Sequence, residues 1–204
     1  DAADLGYRIR LVAVATRSDG VLAMRVAPSL VRIGTPLAET RGAFNAVSIV
    51  GDAVGPMFFH GLGAGQMPTA SAVVADIIDT VVGRAAITFR TTGVLSAESP
   101  DLHIGGDAEE CHFLRVGVRD RPGVLASITG ILGDHGISIA SMLQRASSGE
   151  TDEAVSLVIM THSSSTAAMA RAVAAIDGLP AAAEKSVCLP VLDQSRLDDA
   201  SPTG

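Results

Sequence analysis

The chain has 204 residues, room for one large domain or two small ones, and 48% hydrophobic against 18% charged residues favours a buried core over a disordered polymer. Tryptophan is absent and aromatic residues make up only 3%, so that core must be aliphatic. The net charge of −7 is unevenly spread, and with no basic patch to neutralise phosphates and no apolar run near the ~20 residues of a membrane span, it argues against nucleic-acid and membrane partners.

Residues 7–17 (YRIRLVAVATR) alternate polar with apolar side chains and are rich in Val and Ile, which predicts a strand. Ser18-Asp19-Gly20 is a turn signal, and residues 21–30 form the returning strand of a hairpin. Two shorter apolar runs, 45–50 and 57–60, flank a Gly- and Pro-containing turn and predict two more strands. A glycine-rich loop, Gly61-Leu62-Gly63-Ala64-Gly65, leads to Pro68 and Thr69, where Thr69 is expected to cap a helix running to about Val82. That helix is apolar on nearly every side, with only Asp76, Asp79 and Thr80 as polar relief. It therefore needs cover on more than one face. The four preceding strands are expected to cover one face, and a partner outside this chain the other. Asp76 and Asp79 share a helix face and read as a solvated edge.

Residues 93–110 read as an acidic linker, carrying Glu98, Asp101, Asp107, Glu109 and Glu110 and no basic residue. The flanking blocks are nearly neutral: 1–92 holds eight basic and seven acidic residues, and 111–192 holds six and seven. From Cys111 the pattern changes. Leu114, Val116 and Val118 point one way from a strand; Asp120-Arg121-Pro122-Gly123 turns the chain; Val124, Leu125, Ile128, Ile131 and Leu132 make a helical stripe that stops at Gly133 or Gly136. Strands are expected at 137–144 and 154–162 around a polar turn at 146–152, then an Ala-rich helix over 163–176 and a last strand over 183–191. The order βαββαβ is a split βαβ plan, with both helices on one face of a four-stranded antiparallel sheet. The tail 193–204 reads as disordered. The fold class is α+β.

The turn at 120–126 is the strongest candidate for binding chemistry. Proline fixes φ, glycine lets a backbone come close, and the helix that follows presents free N–H groups that attract a carboxylate. A free amino acid carries a carboxylate and an ammonium, and Asp120 could pair the second. A tight strand-to-helix turn without a ligand is the alternative. The five histidines (His60, His103, His112, His135, His162) have no ligand spacing and read as surface or strand-end residues, so no metal site is expected. Cys111 and Cys188 make neither a metal spacing nor a disulfide framework and read as small buried hydrophobes in a reducing compartment, with the cytoplasm as the expected location. No signal peptide is evident, and the first residue, Asp1, points to a longer parent.

Residues 113–144 (FLRVGVRDRPGVLASITGILGDHGISIASMLQ) resemble the first half of an ACT domain, with a D-x-P-G-V-L-A core. The resemblance implies a ferredoxin-like regulatory domain over 111–192 whose paired modules hold small amino-acid effectors, with Asp120, Pro122, Gly123 and Val124 as effector-site residues. Gly136-Ile137-Ser138-Ile139 departs from the pattern, because many amino-acid-binding members have an asparagine there.

Residues 41–81 (RGAFNAVSIVGDAVGPMFFHGLGAGQMPTASAVVADIIDTV) and 4–17 (DLGYRIRLVAVATR) resemble homoserine dehydrogenases, and so does the order in which they precede an ACT module. The resemblance implies that 1–92 is the C-terminal part of the catalytic and dimerisation region, with Gly65 and Gly63 near the NAD(P) cofactor and the apolar helix packed on a nucleotide-binding domain. The family's dinucleotide-binding unit and catalytic lysine lie upstream of this segment. Lys185 is the only lysine here, expected on the final strand, so no catalytic residue is assigned and the chain alone is not expected to hold NAD(P) tightly. The resemblance further implies a homodimer or homotetramer and an amino-acid effector, threonine first and isoleucine next. A free-standing ACT sensor that regulates a partner enzyme is the alternative. It has no need of residues 1–92, and a different ACT-tailed enzyme such as phosphoglycerate dehydrogenase fails on the same segment.

Overall fold

A computed structural model describes residues 2–18, 21–51, 53–92, 103–104, 107–145 and 154–192. The expected turn at 146–152, the tail 193–204 and most of the linker lie outside these residues. The chain divides into two compact units, one made of 1–38 with 104–195 and the other of 39–103 with 196–204.

The first unit is built on one sheet. Strands β1 (Tyr7–Ser18) and β2 (Val21–Arg32) form the expected hairpin, in continuous register from Tyr7↔Arg32 to Ser18↔Val21. A single helical turn, α1 (Pro36–Glu39), follows, and the carbonyl of its buried Ala38 accepts from Arg10 Nη2 (2.6 Å) and Nε (3.1 Å) on β1. In the second unit, β3 (Phe44–Gly51) pairs with β4 (Gly55–Leu62) in a two-stranded sheet, and helices α2 (Gln66–Val81) and α3 (Arg84–Thr92) come next.

A two-residue strand, β5 (His103–Ile104), pairs β2 and returns the chain to the first unit. There β6 (Glu109–Arg119), α4 (Val124–Asp134), β7 (Ile139–Arg145), β8 (Ala154–Thr161), the short β9 (Ser164–Ser165), α5 (Thr166–Asp177) and β10 (Val187–Val191) complete the βαββαβ plan. The sheet order is β1-β2-β10-β6-β8-β7, with β6 antiparallel to both β10 and β8. Alternation along β6 decides its packing. Leu114, Val116 and Val118 face the helices and join Ile128, Leu132, Met169, Ala172 and Ile176 in the main core, while Phe113 faces a second cluster with Leu30, Val158 and Val191. One end of each helix is set locally: Gly136 (φ 72°) takes the left-handed position just past α4, and Ser165 Oγ accepts from Ala168 N–H (3.1 Å) to cap α5.

Several expectations change. The four N-terminal strands do not form one sheet, because β1–β2 joins β10 while β3–β4 stands in the other unit. The single sheet expected to cover the apolar helix is therefore not formed. None of the 16 residues of α2 is buried, and Val81 is 81% exposed. Thr69 is not the cap. The helix starts at Gln66 after Gly65 (φ 121°), Pro68 is tolerated in the first turn, and Thr69 N–H donates to Gly65 O (3.1 Å). The last strand begins at Val187, so Lys185 precedes it. Helix α3 was not expected. The end of the acidic strip is not a bare linker: Glu109 and Glu110 open β6, and Asp107 accepts from Ser165 Oγ and from Ala167 N–H (2.8 Å) at the start of α5. These hydrogen bonds, Ser165 first, hold the Asp107 carboxyl below its usual range.

His112 is buried rather than superficial (3% exposed). Its N–H donates to Thr161 Oγ1 (3.0 Å), and its Nδ1 lies 3.4 Å from Ser164 Oγ. Burial pushes its imidazole below the ordinary 6.5; the Glu110 carboxylate opposes this and the Arg25 guanidinium adds to it. A histidine kept neutral by folding stabilises the native state above its unfolded pKa, and that contribution is lost as pH falls below it. The urea midpoint is therefore expected to fall between about pH 7 and about pH 5, with His112→Gln flattening this part of the profile. A wild-type profile already flat there, or an unchanged slope in the variant, would count against the assignment. Cys111 and Cys188 are half-buried rather than buried, each packed against a core cluster, and burial pushes the Cys188 thiol up to about 11.

Candidate functional site

Alternation puts Val118, the last buried residue of β6, on the helix side of the sheet, and the chain then turns through Asp120-Arg121-Pro122-Gly123 into α4. Gly123 sits at φ 90°, a left-handed conformation that an L side chain adopts only at a cost, which is why glycine ends this turn. Val124 N–H donates to Arg121 O (3.2 Å) and Ser127 N–H to Gly123 O (3.0 Å), so the turn closes on itself and delivers the helix start at a fixed angle. No side chain caps α4, and its first turn has no acidic residue. The positive end of the helix is left for an outside acceptor.

A recess of about 450 Å³ opens at this point. The four expected residues, Asp120, Pro122, Gly123 and Val124, all line it, together with Arg119, Arg121 and Leu125. Its floor comes from the sheet: Val118, Val155 on β8 and Leu157, each at most 3% exposed, with Gln144 from β7 at the side. The floor residues and Gln144 were not singled out from sequence. Val155 and Leu157 occupy alternate positions of a strand and read there as core, and only the β6–β8 pairing (Val118↔Val155, Val116↔Leu157) brings them under the turn. The arrangement offers an anion-attracting helix start with two arginines, a carboxylate of opposite charge, an amide and an apolar floor. These could meet the carboxylate, the ammonium and the short side chain of a small zwitterion.

The glycine loop belongs to the other unit. An added Cβ at Gly63 would lie 1.7 Å from Nδ2 of the exposed Asn45, so that side chain would have to swing aside to admit it. Gly65 has open space apart from Pro68 Cδ at 3.4 Å. His60 stacks on Phe44 (4.8 Å, 6°) on the exposed hairpin, and Asp79 pairs with Arg84 (2.6 Å). Among the described residues no group of three or more His, Cys, Asp or Glu side chains could hold a metal ion, and no helix is long and apolar enough to cross a membrane.

Comparison with known proteins matches residues 1–78 to the family model described as homoserine dehydrogenase and residues 112–180 to that of the ACT domain. The homoserine dehydrogenase of Pseudomonas aeruginosa is 36% identical over 183 residues, covering 86% of this chain and 41% of the relative. That of Neisseria gonorrhoeae is 34% identical, covering 87% and 42%. The chain thus spans about two fifths of the length of the curated relatives it matches. Among solved structures, a homoserine dehydrogenase from Thiobacillus denitrificans superposes with a TM-score of 0.76 at 36% identity, over 94% of this chain and 44% of that one. A Staphylococcus aureus homoserine dehydrogenase at 24% identity shares the fold, with a TM-score of 0.54.

Proposed function

Because the chain belongs to the homoserine dehydrogenase family and carries an ACT domain, we propose that it is the part of such an enzyme where the catalytic region ends and control by an amino acid begins. The parent reaction is the reversible interconversion of homoserine and aspartate semialdehyde with NAD(P), on the way to threonine, methionine and isoleucine. One observation carries the regulatory half: Asp120, Pro122, Gly123 and Val124 converge on one recess with an uncapped helix start and an apolar floor. Threonine is the first candidate effector, as an end product with a short side chain, and isoleucine the next. Occupancy would bias the catalytic region through the difference in contacts between the bound and free module.

The exposed apolar helix α2 supports the second half of the reading. A helix with Val73, Val74, Ile77, Ile78 and Val81 all exposed is a surface made to be covered. We assign it to docking on the nucleotide-binding domain, with Gly65 and Gly63 at the cofactor's edge. The loop suits an edge contact and no more: Asn45 occupies the space beside Gly63, and no basic side chain stands between Gly61 and Thr69 to meet a phosphate. On this reading the cofactor's own site lies outside this chain, and no step of hydride transfer is derived from its residues. Side-by-side pairing of ACT modules would give a homodimer or homotetramer. Two cysteines without a disulfide framework support a cytoplasmic setting.

Homoserine and NADP⁺ supplied to the purified chain alone are expected to give no turnover, because Lys185, its only lysine, lies just ahead of β10 in the ACT fold, far in sequence from the catalytic-region segment. NADPH formation above background in that assay would refute the division of labour proposed here.

A further inference from the structure

Strand β6 joins two features at its two ends. Its C-terminal end, Val118 and Arg119, lines the recess; its N-terminal end, Glu110 and His112, meets the β1–β2 hairpin. The backbone joint between hairpin and module is slight. β10 runs parallel to β2 with one register pair, Val191↔Leu30, and Leu192 N–H donates to Leu30 O (2.8 Å). Side chains do the rest. Leu30, fully buried, packs with Phe113, Val158 and Val191, and Ala2, Leu5 and Tyr7 close over them. Beside this cluster Arg25 Nε donates to Glu110 Oε1 (2.6 Å), with the two side chains only 20% and 16% exposed. Arg25 Nη1 donates to the buried Ser29 Oγ (2.9 Å), whose hydroxyl donates to Ala27 O (3.1 Å). On the module side Glu110 pairs with Ser164 of β9, and His112 is fixed by Thr161.

We propose that the β1–β2 hairpin is a transmission arm of the ACT module: a polar clasp centred on Arg25 and Glu110 locks it to the sheet, so that hairpin and module open and move as one body. The hairpin lies within the segment matched to the dehydrogenase family, yet its compact unit is that of the module. The chain then leaves the module's unit after Ala38 and rejoins it at Ile104, inside the acidic strip 93–110. A close-packed sheet shifts as a unit rather than deforming locally. A displacement of β6 at the recess is therefore delivered to β2, and from there along the chain into the second unit. A partly buried ion pair suits this task, since loss of one partner strands a desolvated charge. The inference extends the regulatory reading but rests on the β2–β10 joint, the Leu30 cluster and the Arg25–Glu110 pair, and holds whether or not the recess binds an amino acid.

Amide hydrogen exchange on the full chain tests it without a ligand. Ile159→Ala, in the module core on β8, is expected to speed exchange in β2 by the same factor as in β6, about thirtyfold or more, while β3–β4 stays unchanged. The milder Ile159→Val gives the same comparison, a few-fold on both strands, if the alanine variant fails to fold. Arg25→Glu is expected to speed β2 alone, and Arg25→Glu with Glu110→Arg to restore its protection. Exchange in β2 that ignores the Ile159 variants, or that Arg25→Glu leaves at the wild-type rate, would overturn the proposal.

Discussion

Leu114→Ala is expected to lower the unfolding free energy of the sheet-and-helix unit by about 3 kcal/mol or more, the range found when a fully buried leucine is truncated. Leu114 has no exposed surface and sits on β6, between β10 and β8. Its side chain lies in the cluster that holds Ile128 and Leu132 of α4 and Met169, Ala172 and Ile176 of α5, so both helices lose contacts at once. Strand pairing with Cys188 on one side and Ile159 on the other leaves little freedom for the site to collapse into the gap. The transfer and cavity costs then add. A urea titration followed by far-UV circular dichroism would read the effect as a lower midpoint at unchanged slope. A loss below about 1 kcal/mol would mean that β6 is not the centre of the core.

Asp120→Asn is expected to weaken threonine binding by about 10- to 100-fold, the worth of one hydrogen bond to a charged group. Asp120 is the acidic member of the recess lining; Arg119, Arg121 and the positive end of α4 all favour the ligand's carboxylate, leaving Asp120 to pair its ammonium. Asparagine keeps the shape and the acceptor oxygen but removes the charge. Asp120 is exposed in the free chain, so the urea midpoint should hardly move, and weaker binding cannot be ascribed to unfolding. Equal affinity in the variant and the wild type would remove Asp120 from the site.

Local pattern carried the module and stopped where pairing became non-local. The βαββαβ order was readable because Leu114, Val116 and Val118 alternate and Val124 to Leu132 repeat at helical spacing, each within one element. The four effector-site candidates were readable for the same reason, being consecutive or nearly so around one turn. Gln144, Val155 and Leu157 come to that turn only through the pairing of three strands.

The join between β2 and β10 links residues 30 and 191 through one register pair, and nothing in either strand's alternation specifies it. Arg25 and Glu110 are 85 positions apart, and a charge count of the strip 93–110 registers the sign of Glu110 but not its partner. The apolar helix shows how a sound physical reading can still misplace a neighbour. Its all-round hydrophobicity does demand cover, but β1 and β2 were committed to another sheet, which sequence periodicity cannot reveal. Thr69 looked like a cap by type, yet a glycine at φ 121° four residues earlier had already opened the helix.

Isothermal titration of the purified chain with threonine, isoleucine, methionine and lysine addresses the central claim most directly. The account predicts a saturable isotherm with threonine, the tightest of the four, and heat that shrinks when Asp120 is changed. No saturable heat from any of them would contradict it.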